Sequence, residues 1–366
     1  MKAIGIILAG GNNNRMKELT AKRAVPALPV AGSFRSIDFA LSSMSNSHIQ
    51  TVAVLTQYNA RSLNEHLSSS KWWNFGRKQG GLFLFTPTVT ADNSDWYRGT
   101  ADAMYQNIDF LKRRHEPYVI ISSGDCVYKL DFNRVLDFHI EKKSDITVVC
   151  KDMMYNDDVS RFGVVRMDDE SRITEFDEKP IEALSNTIST GIYVIRRRQL
   201  IELLEAAAEE NRFDFVNDIL VRYKNVKKIY GYKINSYWNN IADIDAYFKT
   251  NMDFLRPDIR SYFFREEPTI CSKVDDLPPA KFNPGSDISN SLVSSGCIIN
   301  GSVEDSVLFK QVFVGKNTTV KNCVLLNDVY IGDNVHLENC IVESRGTINP
   351  NTCYCGEDGV MIVFVR

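Results

Sequence analysis

The chain has 366 residues, a formal net charge of −3, and 44% hydrophobic and 24% charged residues. This is the composition of a water-soluble globular protein that is long enough for two domains. The slightly negative charge argues against non-specific nucleic-acid binding, which needs a basic surface. No apolar run reaches the roughly 18 residues of a membrane span. The short apolar N-terminal segment runs directly into glycines and asparagines, unlike a signal peptide, so we expect a cytoplasmic protein.

Eight cysteines are scattered along the chain, at positions 126, 150, 271, 297, 323, 340, 353 and 355. Cys353 and Cys355 form a Cys-x-Cys motif with no second pair and no histidine near them in the sequence, so the spacing does not predict a zinc site. We expect reduced thiols, as is usual in cytoplasmic proteins.

The first candidate site lies at the N-terminus, in Ala3-Ile4-Gly5-Ile6-Ile7-Leu8-Ala9-Gly10-Gly11-Asn12-Asn13-Asn14-Arg15-Met16. The apolar residues of 4–8 predict a strand that is buried on both faces. A glycine turn that ends in an arginine follows, and it would present backbone N–H groups and a cation to an anion, as phosphate-binding loops do. A turn that only connects strand to helix is the alternative.

Short β-branched segments alternate with segments of helical periodicity up to about residue 250. The predicted strands include 51–56, 118–122, 145–150 and 191–195, and the predicted helices are 101–113, 130–142 and 199–211. This alternation is typical of βαβ units with a mainly parallel sheet, whose ligands bind at the carboxyl ends of the strands. Five prolines punctuate 253–285, which predicts a linker packed on the surface.

An internal repeat fills the C-terminal part of the chain. Units that begin at Val303 and Val320 are 17 residues long and in register, and a truncated unit begins at Leu337. Apolar residues recur every five or six positions within a unit, which predicts three short strands per triangular coil. We therefore predict a left-handed parallel β-helix over 286–366, with a shorter first coil near Ile288. Antiparallel hairpins are the alternative, but they do not explain a fixed step.

Further motifs at characteristic separations carry a family resemblance. They are Gly10-Gly11 with Arg15, Trp96-Tyr97-Arg98-Gly99-Thr100-Ala101-Asp102-Ala103, Ser123-Gly124-Asp125, Phe176-Asp177-Glu178-Lys179-Pro180 and Leu277-Pro278-Pro279-Ala280-Lys281-Phe282. With them the whole chain resembles the bacterial ADP-glucose pyrophosphorylases, or glucose-1-phosphate adenylyltransferases, which convert ATP and glucose 1-phosphate to ADP-glucose and pyrophosphate in glycogen biosynthesis. The resemblance implies an α/β fold with a Rossmann-like, GT-A-like nucleotidyltransferase domain over 1–252, the linker over 253–285 and the β-helix.

The resemblance also implies roles for particular residues on the nucleotide side of a site. Arg15 and Asp125 would be catalytic, and Asp125 would hold Mg²⁺ against the phosphates. The expected nucleotide contacts are Leu8, Ala9, Gly10, Gly11, Gln57 and Gly99. A turn or helix-capping carboxylate is the alternative for Asp125.

Three positions depart from the family pattern on this same side. Asn13 replaces a glycine of the loop, Val25 replaces a lysine that reaches the phosphates, and Asn240 replaces the second carboxylate of the metal site. Valine cannot neutralise a leaving pyrophosphate, and Asp125 alone is a weak Mg²⁺ site. Asp243, three residues further on, is not expected to replace the lost carboxylate.

The sugar-phosphate side keeps the pattern of the family. The expected contacts are Tyr97, Gly163, Glu178, Lys179 and Ser189, with Lys179 at the phosphate and Glu178 at the sugar hydroxyls. A plain surface turn is the alternative for Glu178-Lys179-Pro180. Asp218 fits a structural role.

Lys22 and Arg23 match a region where activators bind in relatives, although solvated surface charges would give the same pattern. Within the family the resemblance is to the group known as GlgD, which accompanies a catalytic GlgC-type subunit, so a mixed tetramer is expected.

We predict a regulatory subunit with little intrinsic activity. The alternatives are an active ADP-glucose pyrophosphorylase, and a different nucleotidyltransferase or an acyltransferase that uses the β-helix. His336, the only histidine of the coils, is expected to be an outward surface residue, which argues against acyl transfer.

Overall fold

A computed structural model describes residues 2–11, 14–76, 80–88, 95–154, 157–357 and 359–364. The first part of the chain contains thirteen described strands. They are β1 (Ala3–Ala9), β2 (Pro29–Val30), β3 (Phe34–Arg35), β4 (Thr51–Thr56), β5 (Gly81–Phe85), β6 (Tyr118–Ser123), β7 (Cys126–Tyr128), β8 (Ile146–Asp152), β9 (Gly163–Met167), β10 (Ile173–Glu178), β11 (Thr187–Arg196), β12 (Ile229–Lys233) and β13 (Trp238–Asn240).

The helices lie mostly between these strands, as the alternation predicts. They are α1 (Ser36–Asn46), α2 (Arg61–Leu67), α3 (Thr100–Gln106), α4 (Ile108–Lys112), α5 (Phe132–Glu141), α6 (Arg197–Glu209), α7 (Ile244–Asp253) and α8 (Pro257–Phe264). Short 3₁₀ turns occupy Asn14–Thr20, Val25–Ala27 and Ser70–Trp73, and a π-helical turn occupies Val216–Val221. None of the helices in the described part of the chain is long and apolar enough to cross a membrane.

Nine of these strands form the main sheet, in the order β10-β9-β11-β6-β1-β4-β5, with β8 paired to β11 and β12 paired to β8. The pairs β1–β4, β1–β6 and β4–β5 are parallel, whereas β11 runs antiparallel to β6 and β8. Apolar clusters cover both faces of this sheet. Because the parallel strands β1, β4 and β6 are adjacent, their carboxyl ends meet at one edge.

The C-terminal strands stack as predicted in a parallel β-helix. They are β14 (Lys281–Phe282), β15 (Asp287–Ser289), β16 (Leu292–Val293), β17 (Ile298–Ile299), β18 (Ser302–Glu304), β19 (Val307–Leu308), β20 (Phe313–Val314), β21 (Thr319–Lys321), β22 (Val324–Leu325), β23 (Tyr330–Ile331), β24 (His336–Glu338), β25 (Cys340–Val342), β26 (Thr347–Ile348), β27 (Cys353–Cys355) and β28 (Met361–Val363). They form three five-stranded faces.

The register of the faces gives the coil length directly. Val303 pairs with Val320, and Val320 pairs with Leu337, which confirms the 17-residue step. Ile288 pairs with Val303 only 15 residues later, so the first coil is shorter, as predicted. The apolar residues at these positions point into the coils of the left-handed β-helix, where Val303, Val320 and Leu337 are fully buried.

The segment 253–285, for which the sequence predicts a linker, contains α8 and β14. Proline is tolerated in the first turn of a helix, because the N–H that it lacks has no intrahelical partner there. Pro257 therefore starts α8 instead of marking irregular chain. The fully buried Phe263 of this helix contacts Phe39, at a ring-centroid distance of 5.3 Å.

The two parts of the chain share a hydrophobic cluster. Val25, Phe39 and Tyr247 of the first part pack in one group with Phe309 and Leu326 of the β-helix, and all five are buried. This continuous apolar contact fixes the β-helix against the edge of the first domain.

Candidate functional site

A cleft of about 690 Å³ opens at the carboxyl ends of β1, β4 and β6. This volume is within the usual range for small-molecule sites, about 300–1,000 Å³. The predicted nucleotide contacts line it: Leu8, Ala9, Gly10, Gly11, Gln57 and Gly99. Arg15 and Asp125 line it as well, so the structure brings this group of sequence-predicted residues together.

The glycine turn after β1 begins with a close packing contact. A Cβ atom on Gly10 would lie 3.2 Å from Cβ of Gln57, so the turn packs against the residue that follows β4. A Cβ atom on Gly11 would meet nothing within 4 Å, which places Gly11 against open space at the cleft. Asn13, the first of the departures from the family pattern, lies outside the described residues.

Val25 lies on the cleft wall but belongs to the protein core. It is 4% exposed, starts the 3₁₀ turn Val25–Ala27, and packs in the cluster shared with the β-helix. Its carbonyl oxygen accepts hydrogen bonds from the Ser36 hydroxyl at 3.3 Å and from the Leu28 N–H at 2.9 Å. This position thus contributes an apolar surface to the cleft and no charge.

Asp125 and Asn240 lie side by side because β7 and β13 pair in antiparallel register, with Asn240 opposite Cys126. The Asp125 carboxylate accepts a hydrogen bond from the Ser123 hydroxyl at 2.5 Å. Oδ1 of Asn240 accepts the N–H of Ala242 at 3.0 Å. Asp125 is the only carboxylate among the described residues that line the cleft.

Asp125 and Asn240 do not form a cation site with two carboxylates. Mg²⁺ bound to substrate phosphates is held through one or two carboxylates. Here one carboxylate is present, and the neighbouring Asn240 oxygen already accepts a backbone hydrogen bond. The residues of the cleft therefore do not fit a Mg²⁺ ion held by two carboxylates.

The Asp243 carboxylate has two partners other than Asp125 and Asn240. It accepts the N–H of Ala246 at 2.7 Å, which caps the N-terminus of α7, and it forms an ion pair with Arg161. A carboxylate with these two partners cannot also turn toward Asp125.

Arg161 lines the cleft, although the sequence does not single it out. The Cζ atom of Arg161 lies 4.8 Å from the centre of the Phe162 ring. Its Nε is buried with no hydrogen-bond partner among the described residues. Its position in the sequence, two residues before the predicted contact Gly163, is the signal that could have indicated it.

The Gln57 side chain joins the end of β4 to the segment that precedes α3. Its Oε1 accepts the Tyr97 N–H at 2.6 Å, and its Nε2 donates to the Tyr97 carbonyl oxygen at 3.2 Å. Gly99 follows in extended conformation, and a Cβ atom there would lie 2.3 Å from the Phe213 carbonyl oxygen. The contacts of Gln57 and Gly99 therefore both stabilise the structure of the cleft wall.

The rim of the cleft carries an aromatic pair that sequence reasoning missed. The rings of Tyr58 and Trp96 stack with centroids 5.5 Å apart and an interplanar angle of 21°. Trp96 is 60% exposed, so most of the indole faces solvent beside the opening. No periodic pattern links the two positions, because the stack forms between the ends of separate segments.

The predicted sugar-phosphate residues divide into two sets. Tyr97 and Lys179 line the cleft, whereas Gly163, Glu178 and Ser189 do not. The Tyr97 hydroxyl accepts a hydrogen bond from Asn107 at 2.9 Å, and burial raises the pKa of Tyr97. The hydroxyl of Ser189 donates to that of Tyr193 at 3.3 Å.

Glu178 lies beside Lys179, with their charged atoms 3.4 Å apart. Burial raises the pKa of Glu178, although the charge of Lys179 opposes the shift. Gly163 faces Glu178 across the β9–β10 pair, and a Cβ atom on Gly163 would lie 2.9 Å from Oε2 of Glu178. A glycine at this position thus leaves room for the partly buried carboxylate.

The other predicted residues lie away from the cleft. Arg23 forms an ion pair with Glu343 of the β-helix, and its guanidinium donates to the Ser344 hydroxyl at 3.3 Å. Lys22 is exposed. Asp218 has the structural role predicted for it, since its carboxylate accepts the backbone N–H of Phe213 at 3.0 Å.

Comparison with known proteins agrees with this architecture. Residues 4–256 match the family model for nucleotidyl transferases, and residues 278–360 match the model for the GlmU-like C-terminal hexapeptide region. The chain is 39% identical over 367 residues to the glucose-1-phosphate adenylyltransferase of Geobacillus stearothermophilus, an alignment that covers 100% of this chain and 95% of that protein.

Two further relatives carry the same name. Identity is 38% with the protein of Clostridium novyi, over 86% of this chain and 83% of that protein. Identity is 36% with the protein of Bacillus subtilis, over 87% of this chain and 84% of that protein. The chain therefore belongs to the nucleotidyl transferase family, in the group of the glucose-1-phosphate adenylyltransferases.

Proposed function

We propose that this chain is a regulatory subunit of an ADP-glucose pyrophosphorylase, with little intrinsic activity, that binds an anionic ligand and modulates a catalytic partner. The observation that carries the proposal is the composition of the cleft. Its nucleotide side presents a buried valine at position 25 and a hydrogen-bonded amide at position 240, next to the lone carboxylate of Asp125.

The residues on the nucleotide side of the cleft do not meet the requirements of adenylyl transfer from ATP. The attacking sugar phosphate and the departing pyrophosphate are both anionic, so catalysis depends on positioning and on neutralising the charge that develops on the leaving group. Val25 has no charge or donor to offer there. Loss of one such donor typically costs about 10²–10³ in kcat, so low intrinsic activity follows.

Anion binding, in contrast, is still supported. Arg98, Arg161 and Lys179 line the cleft, whereas the carboxylates that pair with them, Asp102, Asp243 and Glu178, do not. Three cationic side chains thus reach the cleft wall, and the Glu178 carboxylate lies beside it, 3.4 Å from the ammonium group of Lys179. This arrangement favours a phosphorylated ligand, and the position of Lys179 beside Glu178 suits a sugar phosphate.

We also propose a catalytic partner subunit, because a subunit with little activity of its own would act through another chain. The outward face of the β-helix supports assembly. Ile298, Phe313 and Tyr330 are in register on the strands β17, β20 and β23 and form an outward apolar ladder, in which Ile298 and Tyr330 are exposed and Phe313 is half-buried. The rings of Phe313 and Tyr330 stack with centroids 4.7 Å apart.

The test is an ADP-glucose synthesis assay of three samples: this chain alone, a catalytic member of the family alone, and the two co-expressed. We expect the isolated chain to have kcat on the order of 100-fold or more below that of the catalytic chain. The co-expressed pair should differ in rate or in KM from the sum of its parts.

Two outcomes would contradict the proposal. Activity of the isolated chain close to that of the catalytic chain would make it an enzyme in its own right, the alternative that Arg15 and Asp125 on the cleft still support. Strict additivity in the pair would exclude modulation. Light scattering on the co-expressed sample shows whether the chains associate, so additivity without assembly is distinguished from additivity within a complex.

A further inference from the structure

The last two coils of the β-helix bring together four side chains of the kinds that bind zinc. His336 and Glu338 lie on β24, and Cys353 and Cys355 lie on the adjacent strand β27. The register pairs His336 with Cys353 and Glu338 with Cys355. Because side chains two residues apart in a strand share a face, all four project from the same outer surface.

The residues between them confirm which way this surface faces. Leu337 is fully buried and packs in the core of the coil with Tyr354 against it. The side chains of His336 and Glu338 are about two-fifths exposed, at 44% and 40%. The four candidate ligands therefore form an outward patch that solvent and ions can reach.

The spacing of the donor atoms suits a tetrahedral ion. Nε2 of His336 lies 3.6 Å from Oε2 of Glu338, and Sγ of Cys353 lies 3.5 Å from Sγ of Cys355. An ion bonded at about 2.0–2.3 Å keeps its ligand atoms about 3.3–3.8 Å apart in a tetrahedron. The donor atoms of His336, Glu338 and Cys355 all lie within 4.8 Å of one another, and Sγ of Cys353 adjoins this group through Sγ of Cys355.

We propose that His336, Glu338, Cys353 and Cys355 form a zinc site that joins the last coil of the β-helix to the coil before it. Two thiolates, an imidazole and a carboxylate make a four-ligand set of the kind that Zn²⁺ accepts. Thiolate and imidazole ligands also select against Mg²⁺ and Ca²⁺, which prefer oxygen.

In the two columns of the β-helix that hold these side chains, histidine and cysteine occur only in the last two coils, whereas a carboxylate, Glu304, also occurs two coils before Glu338. One coil earlier the equivalent positions of His336 and Glu338 hold Thr319 and Lys321. Lys321 pairs in register with Glu338, and its ammonium group forms an ion pair with Glu304 at 3.2 Å. The site therefore occurs where the stack ends and where a terminal coil lacks a neighbour to hold it.

A disulfide between the two cysteines fits the geometry less well. Alternate residues of an extended strand have Cα atoms about 6.5–7 Å apart, at the upper end of the range of about 4.4–6.8 Å for disulfides. A disulfide would also leave His336 and Glu338 without a role in the cluster. The sequence could not predict the site, because His336 precedes Cys353 by one full coil.

The experiment uses the full-length chain, reduced and treated with a chelator, with Co²⁺ as the spectroscopic probe. We expect one equivalent of Co²⁺ to produce a thiolate-to-metal charge-transfer band, which Zn²⁺ then displaces. Cys355→Ser and His336→Ala should each raise the apparent Kd by about 100-fold or more, since even groups behind the ligands are worth about 10–100-fold. Cys271→Ser, which removes an exposed thiol elsewhere, should change nothing.

A second measurement tests the structural role. Zn²⁺ should raise the Tm of the reduced wild-type chain and of the Cys271→Ser variant, and it should not raise the Tm of the Cys355→Ser variant. Absence of the band in the wild-type protein would overturn the proposal, as would a band of unchanged affinity in either ligand variant. If air oxidation joins Cys353 and Cys355 in a disulfide while the reduced protein binds no Co²⁺, the proposal would be overturned as well.

Discussion

The guanidinium of Arg23 forms an ion pair with the carboxylate of Glu343, and this contact joins the first domain to the β-helix. Both side chains are largely buried, with 17% and 9% of their surface exposed. Arg23 is one of the two cations for which the sequence suggested an effector site. An anionic effector that binds Arg23 must therefore compete with Glu343, and in doing so it would loosen the contact between the domains.

Removal of this ion pair should destabilise the chain. Arg23→Ala leaves Glu343 largely buried without its cation, so we expect a loss of about 1–3 kcal/mol in the free energy of unfolding. Urea denaturation measures it. Arg61→Ala is the matched control, because the side chains of Arg61 and Glu65 are 92% and 67% exposed, and such a pair contributes less than about 1 kcal/mol. Equal losses in both variants would show that the domain contact does not depend on Arg23.

Restoring the charges of the nucleotide side should raise intrinsic activity. The double variant Val25→Lys with Asn240→Asp adds a cation for the pyrophosphate and a second carboxylate beside Asp125. We expect an increase in kcat of about 10²-fold or more, the worth of one transition-state donor. The measurement is ADP-glucose synthesis by the isolated chain.

Val25 is in the core, so the lysine will also cost stability. Val25→Leu with Asn240→Asp is the matched control, since it perturbs the same packing without adding a cation. A gain in both double variants would assign the effect to position 240 alone. No gain in either, from proteins that are folded by circular dichroism, would place the cause of low activity in the rest of the cleft.

The fold followed from the sequence wherever a pattern repeats along the chain. The strand predicted over 51–56 is confirmed with the same bounds, and the 17-residue step is confirmed by the strand register. Local interruptions were harder to foresee. The helix predicted over 101–113 is two helices, because Asn107 ends the first one and its side chain donates to the Ala103 carbonyl and the Tyr97 hydroxyl, both at 2.9 Å.

The sequence predicted the parts of the candidate site that lie within one local motif. It did not predict the parts where two distant segments meet. The glycine turn and Asp125 reach the same cleft as the motifs imply. The Arg161–Asp243 ion pair and the Tyr58–Trp96 stack connect separate segments, and neither partner of a pair is informative without the other. Side-chain pairing across space leaves no period in the sequence.

Binding of a sugar phosphate should depend on the ionisation of Glu178. Burial raises the pKa of this carboxyl group. Only the ionised carboxylate can accept hydrogen bonds from sugar hydroxyls with both oxygens, because the protonated form carries an O–H donor. Sugar-phosphate binding should therefore be strongest at pH values well above the raised pKa of Glu178. It should weaken as the pH falls through that pKa, which begins at a higher pH than for an ordinary glutamate. Calorimetric titration with glucose 1-phosphate across pH measures this.

Glu178→Gln should bind more weakly at neutral pH and lose the part of the pH dependence that belongs to the carboxyl group. The comparison with wild type also removes the contribution of the ligand phosphate, which titrates in both proteins. Glu175→Gln is the control, since this residue lies on the same strand and its side chain is 40% exposed. An unchanged profile in Glu178→Gln would show that Glu178 does not contact the sugar.

The apolar ladder on the β-helix should be needed for assembly with the catalytic subunit. Phe313 and Tyr330 are stacked on the outer face, where Phe313 is half-buried and Tyr330 is 47% exposed, so charges at these positions do not enter the apolar core of the coil. In an interface they would replace two aromatic anchors, each worth about 2 kcal/mol or more at a hot spot. Phe313→Asp with Tyr330→Asp should therefore shift a co-expressed mixed tetramer to smaller species, as measured by size-exclusion chromatography with light scattering. Ile181→Asp, at a fully exposed apolar residue of the first domain, should leave the tetramer intact. A tetramer that persists in the double variant would place the subunit contacts on another surface.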